Sequence, residues 1–239
     1  MLPRGEHVLE VFTNSESGLL ADTYQDSRIF VECSTIDVRT CETVANLVSQ
    51  NKAGAFVDAP VSGGQRGARA ATLTFMVGGT ESVFDLIAPV LEMMGKNLFH
   101  CGKIGSGLAT KQINNYLSAA NMIAVCEGMQ LGRLYGLDLK TLAGVINTST
   151  GMSRNSREQN PVKGISSESS AANDFEGGFS TELCQGVVMM SLQLSKQLKA
   201  KSVLGEAVGN FYSDAIQSEL CQGLDFRSIY RLFQDQDNM

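Results

Sequence analysis

Between Ser106 and Tyr135 the chain runs for about 30 residues without a proline, and apolar side chains recur there at helical spacing. As one helix this stretch is roughly 45 Å long. The texture differs on its two sides, which puts a boundary near residue 104. Before it, short apolar β-branched runs alternate with amphipathic segments. Arg28 to Cys33 reads as a strand, and Asp37 is placed to cap a helix carrying Val38, Cys41, Val44, Ala45 and Val48 on one face. Ala55 to Asp58 is the next strand, with Pro60 blocking its continuation. Thr72 to Val77 is a third, a helix covers Glu81 to Met94, and Asn97 to Cys101 is a further strand. Beyond the long helix the pattern is helical: Asp138 to Asn147, Thr181 to Lys201, Leu204 to Glu219 and Phe226 to Phe233. A polar Ser-, Asn- and Gly-rich loop with a helical turn lies at Ser153 to Gly178. The expected class is α/β followed by all-α: a mostly parallel sheet covered by helices, a long helix, then an all-helical part.

Composition narrows the function. Hydrophobic residues make up 43% and charged residues 18% of 239 residues, with a formal net charge of −6. The lysines and arginines are scattered, which argues against nucleic acid and anionic lipid as partners. The first dozen residues lack the apolar core of a signal peptide and are too acidic for a mitochondrial transit peptide. No apolar run approaches the ~20 residues of a membrane span. The six cysteines have neither zinc-site nor redox-pair spacing and read as reduced thiols of an intracellular protein. With His7 and His100 the only histidines, a multi-histidine metal centre is not expected.

Two segments carry chemistry. In Asp58 to Gly64 (DAPVSGG), small residues let backbone N–H groups approach a ligand. A helix starting near Gly63 would favour a carboxylate or phosphate, with Ser62 adding a hydroxyl. The same residues also suit an ordinary strand-to-helix turn. In Gly105 to Asn115 (GSGLATKQINN), Ser106 is placed to cap the helix, and Lys111 and Asn115, four apart, share a face with Asn114 beside them. A lysine whose pKa is lowered by burial can exchange a proton with a substrate hydroxyl while the amide holds the oxygen. A solvated lysine on an amphipathic helix has the same local sequence.

Taken together, DAPVSGG and GSGLATKQINN resemble the β-hydroxyacid dehydrogenase family, its 3-hydroxyisobutyrate branch in particular. VECSTID (31–37), LTFMVGGT (73–80), EGMQLGRLYGLD (127–138), NPVKG (160–164) and FEGGF (175–179) support the resemblance in the same order along the chain. It implies a partial Rossmann-type NAD(P)-binding domain over 1–104 and a helical substrate and dimerisation domain over 105–239, with substrate between them. It implies Lys111 as catalytic acid/base with Asn115 as partner, and Ser62, Gly63 and Gly64 as the carboxylate-binding turn. Leu2 and Pro3, at the end of a strand, and Thr35, beside the nicotinamide ribose, are implied as cofactor contacts. The cofactor would be NAD, with NADP not excluded, and the partners a small β-hydroxy acid and a second copy of the chain. The reaction would be oxidation of a valine-derived β-hydroxy acid, with mitochondrial placement in a eukaryote.

Two departures accompany the resemblance. The glycine-rich pyrophosphate fingerprint has no counterpart, and roughly 60–70 residues of the family pattern, two strand–helix units of ~30 residues, have none either. The chain is therefore expected to be truncated, to bind NAD weakly, and to leave the apolar face of Val8, Val11 and Phe12 uncovered, with the first ~25 residues rearranged or disordered. In the helix after Phe179, Gln185-Gly186-Val187 stand where the family carries a Lys-Asp pair; Lys163 is the remaining lysine that could approach. The alternatives to a hydroxyacid dehydrogenase are a catalytically incompetent remnant acting through its helical part, and a related semialdehyde reductase.

Overall fold

The computed structural model describes residues 1–21 and 28–234. They form two compact units, Met1–Ile113 and Asn114–Met239. No helix among the described residues is long and apolar enough to cross a membrane.

The first unit is a five-stranded sheet with helices against it. In chain order it contains α1 (Gly5–Thr13), β1 (Ile29–Glu32), α2 (Val38–Gln50), β2 (Ala55–Asp58), β3 (Val61–Ser62), α3 (Gly64–Arg69), β4 (Leu73–Gly78), α4 (Glu81–Glu92) and β5 (Gly95–Gly102). The strand order is β1-β2-β4-β3, with β5 also paired to β4. β1 and β2 run parallel, Ile29 opposite Ala55 and Glu32 opposite Asp58, so both strands end at the same level. β4 and β5 are also parallel. The sheet is mainly parallel, as expected, with a short antiparallel addition around Pro60. At Asp58 the chain leaves β1 and meets Gly78 of β4 in antiparallel sense. The Pro60 carbonyl accepts the Met76 N–H at 3.1 Å, and Val61 and Ser62 continue the ladder opposite Phe75 and Thr74. Proline lacks only the donor, so its carbonyl can still serve a ladder at a bend.

Alternation along the strands divides the core. Phe30 and Phe56 pack with Val44 and Val48 of α2 and with Phe12, while Val57, Phe75 and Val77 pack with Ile87 and Leu91 of α4. The Phe12 ring lies 5.4 Å from that of Phe30 and 5.9 Å from that of Phe56. The expected rearrangement of the N-terminal segment is thus not what is found over α1. It is a regular helix with Val8 and Phe12 buried, and only Val11 on that face is exposed. Residues 22–27 lie outside the described part.

The second unit is helical. The long helix α5 (Ser106–Tyr135) is unbroken and enters this unit at Asn114. It is followed by α6 (Leu139–Asn147), the short α7 (Arg154–Arg157), a 3-10 turn at Ser170–Asn173, α8 (Thr181–Gln197), α9 (Gly205–Ala215), a second 3-10 turn at Phe226–Ile229 and α10 (Tyr230–Gln234). Met122, Cys126 and Met129 of α5 pack with Cys184 and Val188 of α8 and with Val208 and Tyr212 of α9. The buried Asp225 ties the loop region down, accepting from the Ser170 hydroxyl, the Phe179 amide and the Arg227 guanidinium.

Candidate active site

The site begins with Asp58, the last residue of β2, which is fully buried. Its two carboxylate oxygens accept the Gly105 N–H at 2.7 Å and the Leu108 N–H at 2.8 Å. These are orphan donors at the start of α5. Ser106, the expected cap, is instead the first residue of the helix, and the capping acceptor arrives from a strand far earlier in the chain. Burial pushes the Asp58 carboxyl up, while the amides of Gly105 and Leu108 pull it back down. The approach is close enough to require glycine at position 107, where an added Cβ would strike the Met76 carbonyl and come within 2.8 Å of an Asp58 oxygen.

One turn beyond Leu108 stands Lys111. It is 9% exposed and makes no ion pair among the described residues. Desolvation alone brings its pKa from 10.5 to about 8. Most of the Lys111 side chain is thus out of water, unlike a lysine lying free on a helix surface. Gln112, 1% exposed, sends its side-chain amide to the Ile36 carbonyl at 3.0 Å. The start of α5 is therefore pinned to the end of β2 by Asp58 and to the loop after β1 by Gln112. Asn115 lies one turn further along the helix, half-buried, accepting from the Asn114 amide at 3.4 Å.

Ser62 ends β3 and is half-buried. Gly63 precedes α3 with φ of 133° and Gly64 follows at 60°, backbone that side chains rarely tolerate. Nothing lies within 4 Å of where a Gly64 side chain would begin. The turn is open, its glycines are exposed, and it leaves the sheet four to six residues after Asp58.

Leu2, Pro3 and Thr35 share a second locus at the end of β1. The Leu2 N–H donates to the Ser34 hydroxyl at 2.7 Å, and the Ser34 N–H donates to Glu32 Oε1 at 2.8 Å. Oε2 of Glu32 is buried without a partner among the described residues. Leu2 and Pro3 belong to none of the described strands.

Residues 1–102 match the model of the NAD binding domain of 6-phosphogluconate dehydrogenase. Residues 105–233 match the NAD-binding model of NADP-dependent 3-hydroxyisobutyrate dehydrogenase. A 3-hydroxyisobutyrate dehydrogenase of Pseudomonas aeruginosa is 37% identical over 99% of the chain and 79% of its own length. The chain belongs to the β-hydroxyacid dehydrogenase family. A probable mitochondrial 3-hydroxyisobutyrate dehydrogenase of Dictyostelium discoideum is 38% identical over 89% of the chain, which spans 65% of that relative's length. The solved Mycobacterium tuberculosis 3-hydroxyisobutyrate dehydrogenase with L-serine superposes with a TM-score of 0.89 at 35% identity, over 98% of the chain and 78% of that structure.

In this β-hydroxyacid dehydrogenase chain, the residues expected to meet the cofactor gather at the end of β1. The ends of parallel strands are where such sheets take ligands, and the segments of Leu2-Pro3 and Ser34-Thr35 meet there beside a Glu32 oxygen that has no partner among the described residues. They do not offer a pyrophosphate cradle at the first helix. α1 starts without a side-chain cap and carries Glu6 in its first turn, which disfavours an anion. On α8, Gln185 lies 3.5 Å from the Ser213 hydroxyl and Val187 is buried, so no cation stands there. Lys163 is held by Asp174 at 2.9 Å. Asp58 and Gln112 were legible only as members of their motifs. Their roles depend on what lies opposite them in space.

Proposed function

We propose that this chain acts as a 3-hydroxyisobutyrate dehydrogenase does, in the NAD-dependent oxidation of a short β-hydroxy acid. The observation that carries the reading is Lys111, buried on a helix start tied to the sheet and with its pKa brought to about 8. When bound, the nicotinamide cofactor supplies the hydride acceptor, with Leu2, Pro3 and Thr35 as its contacts. Near pH 8 about half of Lys111 is neutral, so its Nζ accepts the proton of the β-hydroxyl during oxidation and returns it during reduction. A general acid/base works best with a pKa near the working pH. The Asn115 amide, on the same helix face, donates to the reacting oxygen. Ser62 Oγ and the N–H groups of Gly63 and Gly64 hold the carboxylate, since side-chain-free backbone admits close approach.

In this reading residues 1–104 serve the cofactor and 105–239 form the helical domain through which two copies associate. The mitochondrial name of the Dictyostelium relative supports an intracellular setting. The test is NADH formation from 3-hydroxyisobutyrate at saturating NAD. Lys111→Ala is expected to lose at least ~100-fold in turnover and Asn115→Ala less, since it moves no proton, with NAD affinity unchanged in both. Full turnover in Lys111→Ala would remove the lysine from the chemistry.

A further inference from the structure

Helix starts are ordinarily capped by the residue just before them. At α5 that place is held by Gly105, which has no side chain and sits at φ of 87°. The acceptor is a carboxylate from the end of β2, reaching both Gly105 and Leu108. A local cap would stabilise the helix end and leave its position on the sheet unspecified. A cap supplied by the strand fixes both.

We propose that Asp58 is the positioning residue for Lys111, seating the first turn of α5 on the end of the sheet so that the lysine is kept in its water-poor place. The inference rests on the acid/base reading of Lys111. Three residues separate Leu108 from Lys111, about 4.5 Å of helix rise, so a displaced start carries the lysine with it. Asp58 is also where the chain turns from β1 to β4 before reaching Ser62, Gly63 and Gly64. One carboxylate therefore references the proton-transfer group and the open turn to the same point of the sheet. Gly107 and Gly78 leave the space it needs: a side chain started at Gly107 would come within 2.8 Å of an Asp58 oxygen, and one started at Gly78 would strike the carboxylate. Gln112 holds the same turn from the β1 side, which limits how far the helix moves when one tether is cut.

The readout is the titration of Lys111 itself, followed by NMR of the lysine side chains with Lys111→Arg to assign the signal. In the unaltered chain it is expected to titrate at about 8. Asp58→Asn and Asp58→Ser each keep one acceptor and lose the other. In either, Lys111 is expected to move above ~9 toward the ordinary ~10.4 as water reaches it, with far-ultraviolet circular dichroism unchanged. Lys111 remaining at about 8 in a folded Asp58 variant would overturn the inference, because Asp58 would then contribute to stability alone. A value near 10.4 in the unaltered chain overturns the acid/base reading and the inference with it, a distinguishable failure. Amide exchange in the unaltered chain provides a check that needs no variant. Gly105 and Leu108 are expected among the slow amides, and rapid exchange at both would overturn the inference.

Discussion

Lys111 is a burden on stability where it stands. Its pKa is about 8 in the folded chain against ~10.4 for a lysine in water, so between those values the unfolded chain binds the extra proton. Stability therefore rises with pH across that window and is lowest below about 8. The gap corresponds to roughly 3 kcal/mol at 1.36 kcal/mol per pKa unit. Lys111→Met keeps a stem of similar shape and removes the ammonium. It is expected to be more stable than the parent at pH 7 by up to about that amount, and to lose the rise between pH 8 and 10.4. Urea titrations at pH 7 and pH 10 measure both. A variant less stable than the parent at pH 7 would mean that the lysine is stabilised by a contact rather than strained by burial. Its residue type and helix face were legible in the sequence, and its desolvation was not, because exposure depends on what packs against the helix.

At the scale of the element, α5 was legible from end to end: no proline, helical spacing, and observed bounds of Ser106–Tyr135 that coincide with the expected ones. Its cap was not. Ser106 fits every local rule for an N-cap, yet a buried carboxylate with two oxygens, brought in by β2, takes both available amides. The same limit explains β3. A proline after AFVD reads as a stop, and only the proximity of β4 turns it into a bend. Gly107 is where these contacts are tightest. Gly107→Ala adds a favourable helix residue on propensity alone, ~1 kcal/mol. It is nevertheless expected to destabilise by ~2 kcal/mol or more, since the new methyl meets backbone at Met76. Urea midpoints decide the sign, and a stabilised Gly107→Ala would show that the helix start can lift from β4 without cost.

At the scale of the molecule, the helical unit leaves a row of large apolar side chains in water. Leu131, Leu134 and Tyr135, at the end of α5, are 68%, 63% and 84% exposed, and their spacing puts them on one stripe. This stripe is the surface on which the proposed association of two copies would rest. The chain is expected to run at twice its own mass in light scattering. Leu131→Glu with Leu134→Glu is expected to give a folded monomer, whereas a monomeric parent would contradict the assignment. The Val11 side of α1 carries less exposed apolar surface, because Val8 and Phe12 are buried against the first unit's core.

By itself the sequence determined the order of the main elements, though not β3, the change of texture near residue 104, the family, and the residue types of the candidate site. These follow from spacing, propensity and turn chemistry, which act over a few residues. The tertiary structure decided the rest: that β3 adds antiparallel to the parallel strands, that Leu2 and Ser34 meet at the end of β1, that Asp58 caps a helix from another element, and that Lys111 is buried. Each is a matter of which groups lose water together. Hydrogen bonding to a distant amide and desolvation of an ammonium arise only when segments far apart in the chain are packed against each other, so neither leaves a local signature to read.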